Sequence, residues 1–232
     1  VVDGENRLVG IVTFDDAVDV LTEEATEDME IMAAMLPSER SYLKTGVFST
    51  FKQRIPWLLL LMISATFTSM IITNFEGYIR ALAGGAVLIA FIPMLTDTGG
   101  NAGSQASVSV IRGLALGDIE LRDWFRVLWK EIRVAAICGI TLASCNFVKL
   151  LLIDRMLLRN YDVTPLIALI VCLTLLAAVL IAKIVGCLLP LFAKRLGFDP
   201  AVMASPFITT IVDALALLAY FGISLLVLSP II

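Results

Sequence analysis

The sequence predicts an all-α polytopic membrane protein with five transmembrane helices per chain and a small α/β remnant at the N-terminus. Three observations lead there. Of 232 residues, 59% are hydrophobic and 16% charged, where a soluble domain has about 45–50% apolar and about 25% charged residues. Eleven of the 21 acidic residues fall between residues 3 and 39, so an acidic headpiece precedes a long apolar body. Uncharged runs long enough to cross a bilayer recur through that body. The absence of histidine removes the commonest transition-metal ligand and the usual general base. With no G-x-S-x-G or H-E-x-x-H pattern either, no enzyme is expected. Cys138, Cys145, Cys172 and Cys187 lack C-x-x-C spacing and read as buried thiols.

Taken in order, Leu8-Val9-Gly10-Ile11-Val12 after a polar turn reads as strand, turn and strand, followed by a helix over residues 15–21. Opening in mid-strand without methionine, the chain is expected to continue a longer polypeptide. Residues 21–35 read as an acidic amphipathic helix, ended by Pro37-Ser38. Spans are expected at residues 55–73, 81–111, 134–153, 163–182 and 200–232. Each can cross a core of about 30 Å at about 1.5 Å per residue. The domain division that follows is 1–21 for the remnant, 22–54 for the connecting helix and linker, and 55–232 for the pore domain. Eleven Lys and Arg residues flank one set of span ends, against Arg80, Arg155 and Arg159 on the other. The positive-inside rule therefore puts the N-terminus in the cytoplasm and the C-terminus outside the cell membrane. Lys149 and Lys183, near expected span ends, should snorkel to the interface.

Three groups of residues suggest chemistry. Asp213 sits inside the last span, where a carboxylate costs roughly 3 kcal/mol on insertion scales. Ser205, Thr209 and Asp213 share one helical face at i, i+4 and i+8, with Thr210 adjacent. Oxygens without nitrogen or sulfur suit a hard cation. The bland alternative has the threonines bonding back to their own helix and Asp213 pairing with a lysine. Second, three glycines and Pro93 surround Asp97, Asn101 and Gln105 within residues 93–105. That composition favours a broken helix lining a cavity, although glycines also permit close helix packing. Third, Glu23, Glu27 and Asp28 lie on the acidic helix, where they could face Asp199 before the fifth span and share divalent ions with it.

At these residues the chain resembles the MgtE family of magnesium channels and transporters. The resemblance is carried by Thr98-Gly99-Gly100-Asn101-Ala102-Gly103-Ser104-Gln105, by Leu196-Gly197-Phe198-Asp199-Pro200-Ala201, by Thr210-Ile211-Val212-Asp213, by Glu23-Glu24-Ala25-Thr26-Glu27-Asp28 and by Leu121-Arg122-Asp123-Trp124. It implies a homodimer with an ion path on the two-fold axis, Asp213 acting on hydrated Mg2+, and Asn101 lining the path. It also implies closure by cytosolic Mg2+ at Asp199, Glu23, Glu27 and Asp28, so that Mg2+ is both transported and regulatory. Residues ahead of Thr22 look like the tail of a CBS domain. Nucleotide binding is not expected in this fragment, and neither is nucleic acid; lipid is the expected surrounding. Ser205 and Thr209 stand where some relatives have Asn and Ala, which bears on pore width. The expected function is Mg2+ entry down its electrochemical gradient, with a proton- or sodium-coupled divalent cation carrier as the alternative.

Overall fold

A computed structural model describes residues 1–38, 42–81, 84–203 and 205–228; the side chain of Ser205 lies outside the described residues. Along them run α1 (Phe14–Met32), α2 (Val47–Ala81), α3 (Gly85–Ala90), α4 (Ile92–Ala115), α5 (Trp124–Lys149), α6 (Pro165–Arg195) and α7 (Ser205–Leu228). α5 continues into a π-helical segment, Leu150–Leu157. Four helical stretches are long and apolar enough to cross a membrane: Val47–Ala81, Leu121–Leu157, Pro165–Arg195 and Pro200–Leu228. The chain is a multi-pass α-helical membrane protein.

The expected second span is composite. α3 and α4 meet at Phe91, two residues before Pro93 in the first turn of α4, where the missing proline N–H costs nothing. The break expected in the glycine run is not there: Gly99, Gly100 and Gly103 lie inside an unbroken α4. Their role is close approach. A Cβ on Gly99 would stand 3.1 Å from Val212 Cγ1, and one on Gly100 2.9 Å from Thr209 Cγ2. One on Gly103 would stand 2.9 Å from Ile208 Cγ2 and 3.2 Å from the Ala182 carbonyl, and one on Gly186 would collide with the Gly103 backbone. α4 is thereby seated between α6 and α7, its principal neighbours.

α6 is the buried axis of the body. Thr164 caps it, accepting from the Ile167 amide, and Pro165 opens its first turn. Its residues Ile167, Ile170, Val171 and Leu175 share a core with Leu88, Leu95, Leu150, Tyr220 and Phe221. Tyr220 is fully buried and donates its hydroxyl proton to the Leu88 carbonyl at 2.6 Å, which joins α7 to α3. α2 leans on this core through Phe75, stacked on Phe221 at 5.1 Å, and through buried Ile79.

The α/β remnant is corrected. Among the described residues the first segment makes one isolated antiparallel bridge, Val2 to Leu8, and no strand. Helix follows from Phe14 to Met32 without a break at residue 21. A capping box starts it: Thr13 accepts from the Asp16 amide, and Asp16 from the Thr13 amide. No Gly or Pro interrupts residues 14–32, so helix propagates. It ends before Pro37, at Ala33 and Ala34, the latter with φ 55°. The lysines and one cysteine are corrected too. Lys183 is buried, 5% exposed, because α6 extends well beyond residue 182. Lys149 pairs with Asp154 at 2.9 Å, a five-residue spacing that the π-helical turn brings together. Cys145 is exposed, whereas Cys172 and Cys187 are buried.

Gly186→Ala is expected to push α4 from α6 and destabilise the body by about 1–3 kcal/mol. Gly77→Ala, with nothing within 4 Å, should cost no stability. Thermal unfolding of the detergent-solubilised variants checks both.

Candidate functional site

The polar residues of α4 fall on the face opposite its glycines. Asp97, Asn101 and Gln105 recur every four residues and are exposed, while Gly99, Gly100 and Gly103 are buried. The exposed row, with Thr98, lines a groove of about 470 Å³ whose other walls are Ile137, Cys138, Thr141 and Leu142 of α5 and Val179 and Lys183 of α6. Thr98 donates its hydroxyl proton to the Met94 carbonyl at 2.8 Å and Thr141 its own to Ile137 at 2.8 Å. Their oxygens keep lone pairs to offer, as a groove for cations requires.

Asp213 lies half-buried on α7, where the register set by Gly99 against Val212 brings the two helices together. Asp213 follows Val212, which packs on Gly99, and Asp97 stands two residues before that glycine, so the α4–α7 contact carries a carboxylate on each helix. Among the described residues neither is ion-paired. Lys149 is committed to Asp154, and Lys183 lies 3.8 Å from Glu131. Half of the bland alternative is present: Thr209 and Thr210 donate to the Pro206 carbonyl at 2.9 and 3.2 Å. The lysine partner for Asp213 is absent among the described residues.

The second acidic group is where α1 meets the turn before α7. Ile31 and Met32 pack against Ile111 and Ala201. Asp199 accepts from the Ala201 amide at 2.8 Å and so starts the Pro200–Met203 turn. Asp28 is half-buried beside it, and burial, followed by the charges of Asp199 and Glu24, holds its carboxyl above the usual carboxylate range. Glu23 and Glu27 are exposed on the same helix. Among the described residues no three acidic or thiol groups already close round a metal-sized point. Charge chemistry nevertheless favours a cation here, since it would relieve the repulsion between Asp28, Asp199 and Glu24.

Sequence reasoning missed the Lys183–Glu131 pair. Ending the fourth span at residue 182 made Lys183 look terminal, and starting the third at residue 134 left Glu131 in a connection. α5 begins at Trp124, so both belong inside. A lone lysine amid Leu180-Ile181-Ala182 and Ile184-Val185 was the available signal.

A raised carboxyl takes up a proton more readily docked than free. Docking of α1 therefore strengthens as pH falls from neutral into the acid range, and the repulsion returns as pH rises. Limited proteolysis of residues 14–38 should slow over that interval without divalent ions, and Asp28→Asn should flatten the dependence.

Comparison with known proteins identifies the family. Residues 92–223, more than half of the chain, match the MgtE family, described as "Divalent cation transporter". The chain is 38% identical over its full length to a protein of Thermus thermophilus named "Magnesium transporter MgtE", covering 49% of that protein. It is 32% identical to the Bacillus subtilis protein of that name over 97% of the chain and 47% of the relative. For the one from Enterococcus faecalis the identity is 30%, over 97% of the chain and 46% of the relative. The chain thus spans about half the length of the curated relatives it matches. With a family match running from Ile92 to Ile223 and relatives 30–38% identical over nearly the whole chain, this chain belongs to the MgtE family.

Proposed function

We propose that this chain forms the pore and connecting segments of a magnesium transporter that passes hydrated Mg2+ into the cytosol. The carrying observation is that Asp97 and Asp213 sit on two helices seated on each other at Gly99 and Val212, and that no lysine among the described residues pairs with either. Such a site is stabilised when a dication arrives. In a homodimer with the path on its two-fold axis, two copies of Asp213 flank one ion. Asp97, Asn101, Gln105, Thr209 and Thr210 complete the polar lining, and they act on the water shell that Mg2+ surrenders reluctantly. The N-terminus is cytoplasmic and the C-terminus extracytoplasmic in this reading. Residues 1–21 end a CBS-like domain, 22–54 connect, and 55–232 conduct.

Inward movement of a double charge across 100 mV is favourable by about 4.6 kcal/mol, so the potential alone can drive it. Closure uses the second acidic group. When cytosolic Mg2+ is high, it neutralises Asp28, Asp199, Glu23 and Glu27 and holds α1 against the turn before α7. When it is low, their repulsion frees the helix. The same Asp97–Asp213 proximity also suits a proton relay, so a proton-coupled carrier is the second reading.

In liposomes loaded with a Mg2+ indicator, Asp213→Asn should cut uptake by roughly tenfold or more; uptake at the unmodified rate would overturn the assignment. Flux that persists after collapse of the proton gradient supports the channel, and flux that stops supports the carrier. Joint replacement of Glu27 and Asp28 by Ala should raise open probability at high cytosolic Mg2+, read from single-channel currents in patches.

A further inference from the structure

The groove that holds Asp97, Asn101 and Gln105 on one wall has an ammonium on another. Lys183 stands near the middle of α6 and is 5% exposed, yet it contributes to the groove lining while Glu131 does not. Glu131 lies behind it, 12% exposed, with Oε2 at 3.8 Å from Nζ. That separation balances charge but is too long for a hydrogen bond, and no described residue accepts one from Lys183. A buried pair contributes little to stability compared with an apolar replacement, so packing alone gives no reason to keep it. The walls therefore carry opposite signs, negative on α4 at Asp97 and positive on α6 at Lys183.

A path lined only by carboxylates holds a dication too long; conduction needs binding weak enough for the ion to leave. An ammonium in the wall repels a dication with twice the energy it exerts on a monovalent ion at the same distance. We propose that Lys183, held in place by Glu131, is a release element: its charge opposes the attraction of Asp97 across the groove and shortens the dwell of the passing dication. The inference rests on the Mg2+ transport reading and adds a residue that sets affinity and turnover.

The test is concentration-dependent Mg2+ uptake into indicator-loaded liposomes. Lys183→Gln, which leaves Glu131 uncompensated, should lower the half-saturating Mg2+ concentration most, and Lys183→Gln with Glu131→Gln should lower it less, by roughly three- to tenfold. Maximal uptake should fall in both, and Lys183→Arg should restore the parent values. Thr141→Lys, at an exposed position on the same groove, should raise the half-saturating concentration and remains informative if the Lys183 variants do not fold. Half-saturation unchanged in the Gln variants and in Thr141→Lys, in a protein that carries Mg2+ and loses flux on Asp213→Asn, overturns the release role alone. Absence of Mg2+ uptake by the parent protein overturns the transport reading first, and this inference with it.

Discussion

The arrangement depends on the contact of α4 with α6 and α7 through atoms too close to admit side chains. Gly103 and Gly186 meet backbone to backbone, and Gly99 and Gly100 receive Val212 and Thr209. In lipid, where apolar surface offers little reason for helices to associate, such tight van der Waals packing becomes a main source of cohesion. It also decides orientation. With its glycines facing inward, α4 has no choice but to present Asp97, Asn101 and Gln105 on the other side. The same residues that hold the bundle together thus keep a polar row uncovered.

Electrostatics follows from that seating. Bringing α4 onto α7 puts Asp97 within reach of Asp213, and the available lysines are committed elsewhere, to Asp154 and Glu131. At the N-terminal end of α7 the pattern recurs, with Asp28 brought into the field of Asp199 by the packing of Ile31 and Met32 on Ala201. Carboxylates thus gather at two places, one inside the body and one at its edge, and a divalent ion suits the chemistry of both. In the proposed function, one ion species is cargo at the first and signal at the second.

Much of this was legible before any coordinates. Long apolar runs identified a membrane protein, and a carboxylate amid Ala and Leu marked Asp213, because charge in lipid is too costly to be incidental. The four-residue spacing of Asp97, Asn101 and Gln105 placed them on one face. What escaped depends on tertiary neighbours. Glycine content cannot say whether a helix breaks or is gripped, and here the fit to Ile208 and Ala182 decided for grip. Span ends drawn at charged residues hid Lys183 and Glu131, whose mutual compensation lets both helices carry charge further inward. The strands read from Leu8-Val9-Gly10-Ile11-Val12 require a neighbouring strand, and among the described residues only the Val2–Leu8 bridge forms.

α2 stands apart from the rest. Its 35 residues make a rod of about 50 Å, seated only near its far end by Phe75 and Ile79, while Leu58, Leu59, Met62, Ile63 and Phe67 stay exposed. Its near end is tied to the headpiece by the Leu36 amide, which donates to the Gln53 carbonyl at 3.0 Å. Mechanically this is a lever with a short fulcrum: a swing of about 5° at Phe75 carries Val47 sideways by roughly 4 Å. Small strains in the packed body are thereby magnified where the chain leaves the bilayer, and a pull there returns to the core geared down but with greater force.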